Sequence, residues 1–120
     1  MTPILITGVA LQTVVETPGS LAAARGVLSE DLRATIVNTV AENPETGVPL
    51  GGGIRKVRIA LPGRGKRGGA RVVFLFAGDK LPVSLLTVFS KNEKASLSVE
   101  EGRALIQAAK SVVADYRRAS

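Results

Sequence analysis

The sequence predicts an α+β fold: a small, mostly antiparallel sheet packed against helices, in the order β-α-α-β-β-β-α. Three observations carry that prediction. Apolar residues recur at helical spacing between residues 18 and 43 and again after residue 98, whereas residues 54–90 alternate or run in β-branched and aromatic stretches. Segments rich in glycine and proline separate these regimes. Finally, 120 residues of 45% apolar composition are enough for one domain, with a mostly aliphatic core because the aromatics are only Phe74, Phe76, Phe89 and Tyr116.

The elements follow in order. Residues 1–12 read as a short irregular leader or tail, since the run to Val15 lacks a basic start and is too short to cross a membrane. The domain proper is expected over 13–118, beginning with a short alternating strand in "LQTVVET". Thr17 suits an N-cap and Pro18 the first helical position of "TPGSLAAARGVL". Ser29 caps a second helix, "EDLRATIVNTVAEN", in which Leu32, Ile36 and Val40 share a stripe. Pro44 ends it, because the residue before a proline is pushed out of the helical region.

After "LGGG" the period changes to two. In "IRKVRIAL", Val57, Ile59 and Leu61 point one way and Lys56 and Arg58 the other. "ARVVFLFA" and "PVSLLTVFSK" are strands joined by the hairpin connection "GDKLP". Arg71 shares a face with Val73 and Leu75, while Val72, Phe74 and Phe76 share the other. Ser98 and Glu101 form a capping box for a last helix, whose stripe holds Val99, Leu105, Ile106, Ala109, Val112, Val113 and Tyr116. The helices are expected on one sheet face, leaving Lys56 and Arg58 on the open one.

Charge is concentrated. Between Arg55 and Arg71 lie seven basic residues and no acidic one, so the net +6 of the chain belongs to this one window. Such a patch attracts phosphates or an acidic protein partner. The absence of histidine and cysteine removes the usual acid–base residue, disulfides and thiolate chemistry, so catalysis must rest on Lys, Arg, Glu, Asp, Ser or Tyr.

Gly63, Gly65 and Gly68 match the G-x-G-x-x-G spacing, but they lead into a strand rather than the helix whose amides hold a pyrophosphate. A P-loop fails as well, since Lys66 is followed by Arg67 and Ala60 stands where the leading glycine belongs. What remains is a strand-to-strand loop with Arg64, Lys66 and Arg67 at its tip, suited to a phosphate chain or simply to solvent. A second cluster, "SKNEK", sets Lys91, Glu93 and Lys94 just past a hydrophobic strand, as a local ion pair or as chemistry. If the strands are neighbours, Lys56, Arg58, Arg71 and Lys91 converge on one sheet face. Such a cluster suits RNA cleavage, in which the ribose 2′-hydroxyl is the nucleophile and the protein supplies acid, base and positive charge. Metal-dependent nuclease chemistry wants clustered carboxylates, and only Asp79 and Glu93 lie near the sheet.

"GGGIRKVRIALPGRGKRGGARVVFLF", then "LLTVFSKNEKASLS" and a capped helix, resemble the RelE/ParE superfamily of bacterial toxins, closest to its HigB-like branch. The resemblance spans roughly residues 13–113, with "VVETP" and "ENPETG" adding to it. It implies a RelE-like fold and a cytoplasmic, ribosome-dependent mRNA endoribonuclease that inhibits translation without metal or organic cofactor. It also implies a cognate antitoxin, usually with a helix-turn-helix domain, and no membrane partner. On that resemblance Arg71 would stabilise the scissile phosphate and Lys91 would move protons, with Glu93 orienting a lysine. Lys56, Arg58, Arg64, Lys66, Arg67 and Lys94 would hold mRNA and ribosomal RNA. Relatives often carry tyrosine where this chain has Phe74 and Leu75, which removes a phenolic acid from that strand. The same superfamily includes ParE-like toxins of DNA gyrase, and a noncatalytic RNA-binding module is a further alternative.

Overall fold

The computed structural model describes residues 5–6, 9–10, 12–60, 69–90 and 97–119. A two-stranded ladder comes first, β1 (Leu5–Ile6) pairing antiparallel with β2 (Val9–Ala10). A five-stranded sheet follows, built from β3 (Val14–Glu16), β4 (Val48–Gly51), β5 (Ile54–Ile59), β6 (Ala70–Leu75) and β7 (Val83–Ser90) in the spatial order β3-β7-β6-β5-β4. Only β3 runs parallel to its neighbour β7; the remaining ladders are antiparallel. Helices α1 (Pro18–Ala24) and α2 (Glu30–Glu42) connect β3 to β4, and α3 (Val99–Ala119) closes the chain.

The caps are where local chemistry requires them. The Thr17 hydroxyl accepts from the Ser20 amide at 3.1 Å and donates to the Leu85 carbonyl at 2.7 Å, so one side chain both starts α1 and ties it to β7. Ser29 accepts from the Leu32 amide, and Ser98 and Glu101 exchange the two bonds of a capping box at 3.1 and 3.0 Å.

Two buried clusters divide at the sheet. Ile36 and Val40 of α2 and Ala24 of α1 pack on Val57, Ala70, Val72, Phe74 and Val88 on one face. On the other, Ala109 of α3 joins Ile54, Val73, Leu75, Leu86 and Phe89, with Leu105 and Val112 at the border. Between Val73↔Thr87 and Phe74↔Leu85 the β6–β7 register shifts, leaving Leu86 as an extra residue on β7. That one residue returns Val88 to the first cluster and Phe89 to the second; strict alternation from Leu85 would place them the other way round.

Three expectations change. Residues 1–12, expected to be irregular, carry the short β1–β2 ladder, because Leu5–Ile6 and Val9–Ala10 are apolar pairs close enough in sequence to pair with each other. The helices do not share one face: α1 and α2 cover one, and α3 crosses back over part of the face that carries Lys56 and Arg58. Alternation shows which residues share a face but says nothing of where a distant helix returns. An additional strand, β4, also forms where Pro49 and the glycine run read as a connection. Proline is tolerated there because β4 is the outermost strand and needs no amide on its free side.

Candidate nucleic-acid interface

The candidate site begins with register. Arg58 on β5 stands directly opposite Arg71 on β6, and Arg71 directly opposite Phe89 on β7. Directly opposed side chains of an antiparallel pair leave the sheet on the same face with Cβ atoms about 4.5–5.5 Å apart, and like charges there are destabilising. Lys56, two residues before Arg58 and opposite Val73, shares that face on the diagonal from Arg71. Arg58 is exposed, while Lys56 and Arg71 are half-buried. Among the described residues no carboxylate forms a salt bridge with any of the three. The one side-chain hydrogen bond of Arg71 among them is a long one, from Nη1 to the Gly69 carbonyl at 3.4 Å. A guanidinium carries five N–H donors, so most of its capacity is left for a ligand.

The backbone around this pair is closely fitted. A Cβ on Gly69 would lie 2.5 Å from the Ile59 carbonyl oxygen, so only glycine lets β6 begin this close to the end of β5. At the opposite end of β5 a fourth cation has a different task. Arg55 donates to the carbonyls of Thr46, Glu45 and Gly47 at 3.0, 2.5 and 3.2 Å, fastening the loop that follows α2. Arg55 thus belongs to the basic window in sequence but not to the patch in space.

The loop cations Arg64, Lys66 and Arg67, and Lys91, Glu93 and Lys94 of the second cluster, lie outside the described residues. The points at which the chain leaves for those segments are described, and they coincide. Ile59, Ala70 and Ser90 are successive partners across one rung at the end of β5, β6 and β7, next to the Arg58–Arg71–Phe89 rung. Both segments therefore depart from the sheet beside Arg71. Phe74 and Leu75, at the positions where tyrosine is common in relatives, are buried on opposite faces at 0% and 2% exposure and present nothing to a ligand. Phe89, buried beside Arg71, is a site neighbour that sequence reasoning did not single out; its parity two residues before Lys91 is the signal that points to it.

A family model described as the RelE toxin of the RelE/RelB toxin–antitoxin system matches residues 22–119, which take in β4–β7, α2, α3 and the end of α1. The chain belongs to the RelE toxin family. Membership makes it the toxin component of a toxin–antitoxin pair and implies a cognate antitoxin as partner. In this RelE-family chain the basic sheet face lies wholly inside the matched region, whereas β1, β2 and β3 precede it. No helix among the described residues is long and apolar enough to cross a membrane. Nor do three or more His, Cys, Asp or Glu side chains gather among them in a way that would hold a metal ion.

Proposed function

We propose that this RelE-family toxin is a cytoplasmic, metal-independent endoribonuclease of the HigB-like branch that cuts mRNA on the ribosome and so stops translation. The observation that carries the reading is the Arg58–Arg71 pair. Two like charges directly opposed in a ladder, with Lys56 on the diagonal and no described carboxylate bridged to them, cost stability and are explained by a polyanion that binds there.

The chemistry needs no external nucleophile. A base removes the proton of the ribose 2′-hydroxyl, and the 2′-oxygen attacks the adjacent phosphorus. The bond to the 5′-oxygen of the next nucleotide breaks, and that oxygen leaves with a proton from an acid. The products are a 2′,3′-cyclic phosphate and a 5′-hydroxyl end. Arg71 is always charged and holds the non-bridging oxygens as charge builds on them. Lys91, which follows Ser90 at the rung beside Arg71, is the leading proton-transfer residue, and Glu93 orients a lysine. Lys56, Arg58, Arg64, Lys66, Arg67 and Lys94 hold the mRNA and ribosomal RNA backbones through phosphate contacts. The antitoxin that restrains it carries a helix-turn-helix domain.

Primer extension on a defined mRNA, with and without programmed ribosomes, tests this directly. Cuts are expected only with ribosomes. Arg71→Ala is expected to lower cleavage by about a hundredfold, the scale of losing one preorganised transition-state donor, and Lys91→Ala by a comparable factor. Full cleavage by a folded Arg71→Ala variant removes the role assigned to Arg71. No cleavage by the folded wild-type protein, together with inhibition of gyrase supercoiling, moves the function to the ParE-like alternative; binding of RNA without scission moves it to a noncatalytic module.

A further inference from the structure

Strands β6 and β7 are closed to solvent along almost their whole length. On β6 only Arg71 is not buried, and on β7 only Thr87. The two openings lie on the same face. Thr87 stands opposite Val73, which stands opposite Lys56, so these three side chains leave the sheet on the side of Arg58, Arg71 and Phe89, one rung away. Thr87 is therefore on the diagonal from Arg71, about 7–8 Å across the ladder, and mirrors Lys56 on the other side of β6. Val73, between Lys56 and Thr87, is fully buried. A ligand held by Arg71 that touches the floor of the sheet on the β7 side meets the Thr87 side chain.

The register shift at Leu86 puts it there. Strict alternation from Leu85 would turn Thr87 into the cluster under α1 and α2, among aliphatic side chains; the extra residue re-aims it onto the basic face, as bulges beside functional sites do. The border is open as well, because β3 ends at Glu16 opposite Leu85 and no described strand flanks Thr87 on its outer side. The hydroxyls of Thr17, Thr35 and Thr39 each donate to a backbone carbonyl, at 2.7, 3.0 and 2.8 Å. The Thr87 hydroxyl makes no hydrogen bond to any described residue. It also differs in kind from its neighbours. Lysine and arginine only donate, whereas a hydroxyl donates and accepts. On the two rungs formed by Lys56, Val73 and Thr87 and by Arg58, Arg71 and Phe89, the Thr87 oxygen is the one side-chain acceptor.

We propose that Thr87 recognises the sugar: its hydroxyl pairs with a ribose 2′-hydroxyl next to the phosphate that Arg71 holds, and so makes the basic face prefer RNA to DNA. The inference rests on the reading of this face as an RNA site and adds the residue that specifies the sugar. Phosphates are common to both nucleic acids, so the cations bind either one and carry no information about the sugar. The 2′-hydroxyl is the group that differs, and its proton needs an acceptor that no cation can be. Phosphate and ribose are covalent neighbours, which matches an arginine and a threonine on one diagonal of the ladder. Thr87 is a specificity residue: it moves no proton in cleavage and carries no charge.

The test uses the full chain without ribosomes, a fluorescent single-stranded RNA and its 2′-deoxy twin with the same bases, uracil included. In anisotropy titrations at low salt the wild type is expected to bind the RNA about fivefold more tightly, the scale of one net hydrogen bond. Thr87→Val keeps the shape and the strand preference and removes only the hydroxyl. It should lower RNA affinity about fivefold, to the DNA value, and leave DNA affinity unchanged, while Thr87→Ser keeps the preference. The slope of log K against log salt should be the same in Thr87→Val as in the wild type, because no phosphate contact is lost. Arg71→Ala, by contrast, should weaken both nucleic acids alike. Urea unfolding of each variant checks the fold. Thr87→Val acting equally on RNA and DNA, or on neither, overturns this inference alone, as does a wild type that binds the two equally. A folded wild type that binds neither overturns the polyanion reading of the face and this inference with it.

Discussion

The two faces of the sheet divide the work of the molecule unequally. On one, α1 and α2 press ten buried residues into a continuous cluster, and Phe74 and Val40 are sealed completely. On the other, α3 contributes one buried side chain to a cluster of six, and the rest of that face carries Lys56, Arg58 and Arg71. Burial of apolar area is the main source of folding free energy, so the first face supplies most of the stability. The second holds cations with no described carboxylate bridged to them on a scaffold the first makes rigid. A sheet that is secured from one side can leave the other for chemistry and for partners.

The largest effect should come from attacking that asymmetry directly. Phe74→Ala removes a fully buried ring from the first cluster and is expected to cost about 3–5 kcal/mol in urea unfolding. Leu105→Ala, at the half-buried border of the second, is expected to cost about 1–2 kcal/mol because much of its side chain already meets water. Equal costs would mean that α3 is held as firmly as α2, and the comparison would fail. Arg71→Ala sharpens it from the functional side. The hundredfold loss of cleavage corresponds to about 2.7 kcal/mol of transition-state stabilisation, yet its unfolding midpoint should stay at or above that of the wild type. A large drop in stability would show that Arg71 works as part of the core instead.

The parts of this picture that were legible in the sequence are those that local chemistry decides. Thr17 with Pro18, Ser29, and Ser98 with Glu101 each cap a helix by bonds that span three residues, and all three are in place. The parity of Lys56, Arg58 and Arg71 was legible too, since side chains alternate along any strand. Their meeting was not, because it depends on which strands pair and in what register; only the β5–β6 ladder sets Arg58 against Arg71. β4 was hidden because Pro49 and three following glycines carry the composition of a turn, and an edge strand tolerates what an inner strand does not. The path of α3 was hidden for a further reason. Its apolar stripe is wide, reaching from Val112 around to Val99, and a stripe wider than one contact does not say which part meets the sheet and which part waits for something else.

The smallest predicted effect is the most discriminating. If Arg58 faces Arg71 in order to bind a polyanion, the free protein pays for the pairing, and removing Arg58 should relieve it. Arg58→Thr keeps a good strand former at the position and is expected to raise stability by about 0.2–1 kcal/mol, measured as an increased urea midpoint at low salt. The same change should weaken RNA binding and flatten the plot of log K against log salt by about 0.7, one phosphate contact on a single strand. A structural role for Arg58 predicts the opposite sign in the unfolding measurement, since an exposed side chain that contributed packing or pairing would be missed when it was cut away. Stability gained together with affinity lost is the signature of a residue kept for its ligand, and a midpoint that falls would return Arg58 to the scaffold.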